Sequence, residues 1–282
     1  MRINMKTLLI TGTSGALGNN LREYFLDHGF KVIGTVGRSK PRDGEIPINL
    51  GDWDSYAVLR EAVKNKKIDA IIHNAAALHG KAGVIKTYRA NVVGTENMLR
   101  LAHEYNCDNF IQISTVGVYG IRSLGKNRIE ETRPIDIEAY GITKKIAEKR
   151  ILISKTPYTI LRLPLVKYSG GYLIEKPIKK GVSVFIKKRE LNIVSSVTPE
   201  FVAKTCEWII DNAPLNDIFN CASHHQTWRE MVMDHCKHED IEIKNTKRVS
   251  IFGAFPMGIV IGPIATFGQH TPSDKLEAIL NH

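Results

Sequence analysis

The stretch Thr7-Leu-Leu-Ile-Thr11-Gly12-Thr-Ser-Gly15-Ala-Leu-Gly18 decides the fold of this 282-residue chain. An apolar run of strand character enters a turn with three glycines, and a segment of helical period follows at once. Gly12 permits a tight turn, Gly15 lets the backbone approach a phosphate, and Gly18 lets the helix pack closely on the strand. Free N–H groups and the dipole at the start of such a helix attract anions. The spacing is Gly-x-x-Gly-x-x-Gly, and its context favours a phosphate-binding loop over a bare glycine turn.

From residue 5 to about 165, short apolar runs alternate with amphipathic stretches, which is typical of successive βαβ units. Predicted strands cover 6–11, 31–36, 45–49, 69–73, 109–114 and 158–164, and predicted helices cover 16–28, 54–66, 85–105 and 138–153. Strands 69–73 and 109–114 are apolar on both faces, so helices are expected on both sides of the sheet. The predicted fold class is α/β, a Rossmann-type doubly wound parallel sheet.

The regular alternation weakens after Pro164. Thr198 with Pro199 behind it predicts a helix start, and Thr227 opens a capping-box pattern that predicts another. A strand-like run at 217–221 lies between them. We predict a dinucleotide-binding domain over 1–165, to which a segment at about 191–221 returns, and a smaller C-terminal substrate-binding lobe over 166–282.

Composition and charge narrow the class of protein. The chain is 43% hydrophobic and 24% charged, which is typical of a globular protein. No export signal is visible, and the apolar stretch 251–267 is broken by glycines and prolines, so we expect a cytoplasmic chain without membrane insertion. The four cysteines are scattered, as expected of reduced thiols.

The formal charge of +10 raises the question of a nucleic-acid partner. The basic residues are dispersed, and their few clusters are not interleaved with the aromatic side chains on which single strands stack. We therefore predict no nucleic-acid partner and a surface that favours a diphosphate-bearing ligand. Four histidines, at 224, 225, 235 and 238, lack an acid or cysteine at a suitable spacing, so no metal site is predicted.

The end of the second strand normally contacts the adenosine ribose of a bound dinucleotide. Residues 32–39 contain no acid and one arginine, Arg38. A carboxylate there would repel a 2′-phosphate, whereas an arginine can bind it with a bidentate, charge-assisted pair. We expect NADP(H) as the cofactor. The alternative is that Arg38 is solvated and that the chain accepts NAD(H) or both.

Tyr140 and Lys144 lie four residues apart at the start of a predicted helix, so they share one face. A neighbouring ammonium favours the phenolate and brings tyrosine towards working pH as an acid or base. Upstream, the strand ending in Ser114 and Thr115 supplies a hydroxyl where a third catalytic group is needed.

Together these features resemble the extended short-chain dehydrogenase/reductase family, also called the NAD-dependent epimerase/dehydratase family. The ordered matches are Thr11 to Gly18, His73 to Ala77, Asn91 to Thr95, Ser114 to Gly120, Tyr140 to Lys144, Leu161 to Pro164 and Ile218 to Ala222. The resemblance implies that Thr115 hydrogen-bonds the substrate, that Tyr140 exchanges its proton, and that Lys144 also holds the nicotinamide ribose. It also implies a homodimer formed through the two long helices near 85–105 and 138–153.

The motifs, the positions of charged and polar residues, and the resemblance together predict two sets of binding residues. Those for the cofactor are Gly12, Thr13, Ser14, Gly15, Ala16, Leu17, Gly18, Arg38, Asn49, Leu50, Asn74, Ala75, Ala76, Ala77, Asn91, Ile113, Tyr140, Lys144, Leu163, Pro164 and Leu165. Those for the substrate are His79, Thr115, Val116, Gly117 and Arg189. The family usually has an acid where Asn49 stands, and Asn91 and Ala75 can equally serve fold packing.

The two residues that follow Thr115 in the sequence indicate the type of reaction. Nucleotide-sugar 4,6-dehydratases follow this threonine with acids that water elimination needs, and GDP-fucose synthases carry a cysteine nearby, whereas this chain has Val116 and Gly117. With Arg38, this favours a reductase acting on a keto group of a nucleotide-linked 4-keto-6-deoxy sugar. The alternatives are an NAD-dependent nucleotide-sugar 4-epimerase and, in another class, a non-catalytic NADP(H)-binding regulatory protein.

Overall fold

The computed structural model describes residues 5–78, 83–120, 129–132, 139–167, 182–186, 191–249 and 271–281. Seven strands form one parallel sheet. In chain order they are β1 (Thr7–Thr11), β2 (Lys31–Val36), β3 (Glu45–Pro47), β4 (Ala70–His73), β5 (Phe110–Thr115), β6 (Tyr158–Leu163) and β10 (Asp217–Asn220).

The strand order in this sheet is β10-β6-β5-β4-β1-β2-β3. The chain therefore runs outward from β1 in one direction through β2 and β3, and then in the other direction from β4 onward. A crevice forms at the carboxyl ends of the strands where the order reverses, and ligands of open α/β sheets bind there. The glycine turn that follows β1 lies at this reversal.

Helices cover both faces of the sheet, which confirms the predicted doubly wound fold. They are α1 (Ala16–Asp27), α2 (Ser55–Ala62), α3 (Gly83–Tyr88), α4 (Gly94–Glu104), α5 (Ala139–Ile153) and α6 (Pro199–Asn212). Apolar side chains of α1 and α6 pack in one core cluster, and those of α2, α4 and α5 pack in another. Burial of these two apolar layers, at about 25 cal/mol per Å² of apolar surface, is the main force that holds the helices to the sheet.

Among the described residues after β6, the chain adds two smaller sheets and, besides α6, two helices. One sheet has the order β11-β9-β7, with β7 at Leu165–Val166, β9 at Ile193–Val197 and β11 at His224–Thr227. The other pairs β8 (Val182–Ile186) with β12 (Asn245–Val249), and the helices are α7 (Trp228–His238) and α8 (Asp274–Leu280). The division into a dinucleotide-binding domain and a substrate lobe stays a prediction.

The two predicted helix starts in this part are confirmed. Thr198 accepts a hydrogen bond from the Phe201 N–H at 3.2 Å, and Pro199 occupies the first helical turn. Thr227 and Glu230 form a complete capping box at the start of α7. In the segment at about 191–221, β10 pairs in parallel with β6 and α6 packs on α1.

Several predicted elements have different bounds in the structure. The helix predicted over 54–66 covers only Ser55–Ala62. The single helix predicted over 85–105 is divided by a π-helical turn at Arg89–Val93, where the Asn91 side chain binds a neighbouring loop. The strand predicted over 45–49 ends at Pro47, and the one over 158–164 ends before Pro164, which has no N–H to donate to a ladder. No helix within the described ranges is long and apolar enough to cross a membrane.

Candidate active site

The glycine turn after β1 is tightly built. Gly12 has a φ of +74°, and its N–H and that of Thr13 both donate to the Thr35 carbonyl at 3.0 Å. A Cβ at Gly18 would lie 2.1 Å from the Gly12 carbonyl oxygen, so only glycine allows α1 to start this close to the turn. The sequence interpretation of these two glycines agrees with this geometry.

The start of α1 is open to a ligand. Gly15 is its N-cap and provides no side-chain hydrogen bond, and Ser14, Gly15 and Ala16 are all exposed. The first N–H groups of a helix need acceptors, and the helix dipole favours a negative one. The start of α1 therefore fits the pyrophosphate of a dinucleotide, because the first N–H groups of the helix point out of an exposed, glycine-capped end.

The loop after β4 is fastened to the glycine turn. The N–H groups of Asn74 and Ala75 donate to the Thr11 hydroxyl at 3.0 and 2.9 Å. A Cβ on Gly12 would come within 2.9 Å of the Ala75 Cα. The two loops thus form one rigid edge of the crevice, with Ala76 exposed on it.

Arg38 follows β2 and is exposed, and within the described ranges its side chain has no ion-pair or hydrogen-bond partner. A second arginine, Arg42, which the sequence reasoning missed, is already engaged. It binds the carboxylate of Glu45, whose side chain is 1% exposed and also accepts a hydrogen bond from the Thr13 hydroxyl at 2.7 Å. Burial by itself would raise the pKa of Glu45, but the hydrogen bonds from Arg42 and Thr13 outweigh it and lower this pKa to about 2. Glu45 therefore supports the glycine turn as a carboxylate.

The three predicted catalytic residues are placed at the carboxyl end of β5. Thr115 is the last residue of the strand, half-buried, and its hydroxyl accepts from the Gly117 N–H at 3.0 Å. Lys144 donates from Nζ to the carbonyl of Ile113 at 2.6 Å, two residues before Thr115. Tyr140 is the second residue of α5 and half-buried, one turn before Lys144. Helix α5 therefore brings the tyrosine and the lysine to the strand end that carries the threonine.

The Lys144 ammonium is in an unusual environment, since the residue is only 2% exposed. Burial lowers the pKa of Lys144 to about 8, and the negative charge of Glu148, one turn further along α5, opposes this shift. Lys144 is therefore mostly protonated at neutral pH. His73 at the end of β4 is also buried, and burial together with the Lys144 charge lowers its pKa to about 3, so His73 is neutral.

Asn91 links the cofactor side of the crevice to the catalytic helix. It is buried in the π-helical turn, accepts from the Ala77 N–H at 2.7 Å and donates to the Ala77 carbonyl at 3.1 Å. It also donates to the Thr143 hydroxyl at 2.9 Å, which in turn donates to the Tyr140 carbonyl at 2.8 Å. π-Helical turns of this kind frequently occur at functional sites.

A second buried network, which sequence reasoning missed, passes through His73. Its Nδ1 lies 2.8 Å from the Thr11 hydroxyl, and its Nε2 lies 3.2 Å from the Thr95 hydroxyl. Because Thr95 donates to the Asn91 carbonyl, its oxygen accepts the Nε2 proton, and Thr11 donates to Nδ1. A single tautomer of neutral His73 therefore ties β1 to α4.

The remaining predicted site residues are distributed as follows. Ile113, Leu50, Leu163 and Pro164 are buried, Leu165 and Asn74 are half-buried, and Asn49 is exposed. Among the predicted substrate residues, Val116 is buried and Gly117 half-buried, both in the 3₁₀ turn Val116–Tyr119. His79 and Arg189 lie outside the described residues. Within those residues, no group of three His, Cys, Asp or Glu side chains is arranged to hold a metal ion.

The chain is similar in sequence to several known proteins. The chain is 26% identical over 197 residues to a provisionally named UDP-glucose 4-epimerase of Methanocaldococcus jannaschii, covering 64% of this chain and 62% of that protein. Across eight curated relatives that it matches, the chain spans between 43% and 63% of their length.

Two solved structures share the fold. The dTDP-glucose 4,6-dehydratase of Bacillus anthracis in complex with NAD has a TM-score of 0.76 at 18% identity, over 98% of this chain and 91% of that one. A hypothetical dTDP-4-dehydrorhamnose reductase from Sulfolobus tokodaii has a TM-score of 0.75 at 24% identity, over 98% and 94%.

The family itself is shown by a sequence model. The model described as "NAD dependent epimerase/dehydratase family" matches residues 8–177, which is more than half of the chain and includes the glycine turn, Thr115, Tyr140 and Lys144. The expected resemblance is confirmed: the chain belongs to the NAD-dependent epimerase/dehydratase family, the extended short-chain dehydrogenases/reductases.

Proposed function

We propose that this chain is an NADP(H)-dependent oxidoreductase that reduces a keto group of a nucleotide-linked sugar, of the 4-keto-6-deoxy class. The observation that carries the proposal is the buried Lys144 ammonium at the end of β5, anchored on the Ile113 carbonyl between Tyr140 and Glu148. A fold does not need a buried ammonium at this point. A proton-transferring tyrosine does, because the positive charge stabilises its phenolate.

The cofactor is proposed to lie along the crevice. The N–H groups at the start of α1 would bind its pyrophosphate, and Arg38, exposed after β2, would bind its 2′-phosphate. The loop residues Asn74 to Ala77 would line it, and Lys144 would hold the nicotinamide ribose. The reduced nicotinamide, when bound, supplies a hydride.

Three residues of the chain then position the substrate carbonyl and transfer a proton to its oxygen. The Thr115 hydroxyl donates a hydrogen bond to the substrate carbonyl oxygen and fixes its position. Tyr140 donates its phenolic proton to the same oxygen, which becomes the hydroxyl of the product. The Lys144 ammonium stabilises the phenolate left on Tyr140, and it is charged at neutral pH because its pKa is about 8. Solvent returns a proton to Tyr140 afterwards.

The absence of acids beside Thr115 supports reduction over dehydration. Val116 and Gly117 follow it in the 3₁₀ turn, and neither can serve as the extra acid or base that elimination of water requires. The second candidate is an NAD-dependent 4-epimerase of a nucleotide sugar, which the named Methanocaldococcus relative favours. The homodimer, the cytoplasmic location and the lack of a nucleic-acid partner stay predictions.

The test is a panel of nucleotide-linked keto sugars incubated with the full chain, with NADPH oxidation as the readout. Tyr140→Phe is the matched variant, because it removes one hydroxyl and keeps the ring. We expect it to bind NADPH like the unaltered chain and to lose turnover by at least about a hundredfold. Unchanged turnover of Tyr140→Phe would exclude the proposed chemistry. NADPH binding by the unaltered chain without turnover of any sugar in the panel would instead favour a non-catalytic binding role.

A further inference from the structure

A buried ion pair lies one helical turn beyond Lys144. Arg162 of β6 and Glu148 of α5 have side chains that are 3% and 4% exposed, and two hydrogen bonds join them, Nη2 to Oε2 at 2.8 Å and Nε to Oε1 at 3.1 Å. The Ser114 hydroxyl donates to the same carboxylate at 2.5 Å. Glu148 thus joins the catalytic helix to β6 and to the residue that precedes Thr115.

The other side of the Arg162 guanidinium binds segments that surround the candidate active site. Arg162 Nη1 donates to the Tyr119 hydroxyl at 3.0 Å and to the Glu130 carbonyl at 3.2 Å. Tyr119 donates to the Asn220 side chain at 2.8 Å, and the Asn220 N–H donates to the Glu130 carboxylate at 2.7 Å. One arginine therefore connects the 3₁₀ turn after Thr115, the segment 129–132 before the catalytic helix, and β10.

Stability alone does not account for this pair. Removing two charges from water costs several kcal/mol per ion, and well-packed apolar side chains of similar size are often as stable as a buried ion pair or more so. The pair joins α5, which carries Lys144, to β6, the strand beside the one that carries Thr115. The Glu148 carboxylate is also the charge that opposes the effect of burial on Lys144.

We infer that Glu148 and Arg162 are positioning residues for the reaction: they fix α5 against the end of β5 and keep the Lys144 ammonium beside Thr115 and charged. The inference rests on the proposed function, in which Lys144 stabilises the tyrosine anion. Arg162 acts through Glu148 and through the segments that it binds, and neither residue is proposed to touch the substrate or the cofactor.

The charge effect has a definite sign. The titratable groups of the described residues that interact with the Lys144 charge are Glu148, one turn later on its own helix, and neutral His73 from β4. Tyr140 precedes Lys144 on the helix by one turn. Removing the Glu148 charge leaves burial unopposed and lowers the pKa of Lys144. Lys144 then loses its proton at a lower pH than in the wild type. Every property that depends on the charged ammonium should therefore begin to fall at a lower pH as the solution is made alkaline.

The decisive variant is the double substitution Glu148→Met with Arg162→Met, which removes both members of the pair together, so that neither is left buried without the other. The control is Glu96→Met with Arg150→Met, which removes an exposed ion pair between α4 and the same helix, 2.8 Å apart. The pH dependence of NADPH affinity is measured by fluorescence, with NADH if that dinucleotide binds instead. The kcat and KM are measured on the keto sugar that the wild type reduces, and circular dichroism verifies folding.

We expect the double variant to remain folded and the pH at which NADPH affinity falls by half to move down by about one unit. We expect kcat to fall by about tenfold to a hundredfold with little change in KM, because displacement of a catalytic group costs rate. The control pair should leave both quantities unchanged. Arg162→Lys, which keeps the charge, should keep the wild-type pH midpoint.

A folded double variant with wild-type kcat and wild-type pH midpoint would overturn the inference. If the double variant does not fold, Glu148→Asp is decisive, because it keeps the charge but withdraws it by one methylene. It should lose kcat while keeping the wild-type pH midpoint, and unchanged kcat would overturn the inference. Tyr140→Phe, assayed in parallel, separates the two proposals: if it is inactive while the pair variants behave like wild type, only the positioning role fails.

Discussion

Substitution of Gly18 by alanine tests the geometry of the crevice. The added Cβ would lie 2.1 Å from the Gly12 carbonyl oxygen and 2.8 Å from the Asn74 side-chain nitrogen. The Gly12 oxygen is backbone, and Gly12 is held by Thr35 and pressed against Ala75, so the turn has little room to retreat. Overpacking of this kind costs about 1–3 kcal/mol. For a chain of this size that corresponds to a fall in Tm of roughly 2–5 °C.

Two further glycines make the experiment specific. A Cβ at Gly15 would meet only the Gly12 carbonyl oxygen, at 3.3 Å, so Gly15→Ala should fold normally and place a methyl group where the pyrophosphate approaches the backbone. Gly37, in the loop after β2, has nothing within 4 Å of its Cβ position, and Gly37→Ala is the control.

The assays are thermal unfolding and NADPH titration on the same preparations. Gly18→Ala should lose both stability and affinity, Gly15→Ala should lose about tenfold or more in affinity alone, and Gly37→Ala should lose neither. Wild-type affinity in Gly15→Ala would refute the assignment of the pyrophosphate to this turn. A wild-type Tm in Gly18→Ala would refute the close approach of α1 to Gly12.

Three further predictions each concern a single side chain. Arg38→Ala should weaken NADPH binding far more than NADH binding in parallel titrations, and equal losses would remove its role in reading the 2′-phosphate. Because the folded pKa of Glu45, about 2, is below its unfolded value, its stabilisation is present above about pH 4.5 and is lost as pH falls towards 2. Urea unfolding should therefore show that wild type loses about 2 kcal/mol more than Glu45→Gln over this range, after allowance for the exposed Arg42 partner. The folded pKa of Lys144, about 8, is below that of the unfolded chain, so Lys144→Met should be more stable than wild type at pH 7, by about 1–3 kcal/mol, and this gain should shrink between pH 8 and 10.5.

The parts of the fold that follow from local patterns could be predicted from the sequence. The strand, glycine turn and helix at 7–27 are encoded by adjacent residues, and Thr198 and Thr227 cap helices that begin immediately after them. The placement of Tyr140 and Lys144 on one face of a helix could likewise be predicted, because their spacing of four residues corresponds to about one helical turn.

The parts that depend on distant partners were not predictable. The π-helical turn in the predicted helix 85–105 coincides with the hydrogen bonds of Asn91 to Ala77, 14 residues earlier in the chain. Arg162 was visible only as part of a family motif, since its role depends on Glu148, Tyr119 and residues near 130. The buried position of the Glu45 carboxylate could not be predicted, because an acid at the start of a short strand is ordinarily solvated. Such pairings depend on the packed sheet and have no local period to reveal them.

The most direct test of the central claim is the fate of the hydride. The chain is incubated with deuterated NADPH and the keto sugar that it consumes, and the product is analysed by mass spectrometry and NMR. Net reduction through Thr115, Tyr140 and Lys144 predicts one NADPH oxidised and one deuterium on the new carbinol carbon for each product formed. Conversion of a nucleotide sugar to its epimer without NADPH consumption and without deuterium in the product would contradict the claim and favour the 4-epimerase.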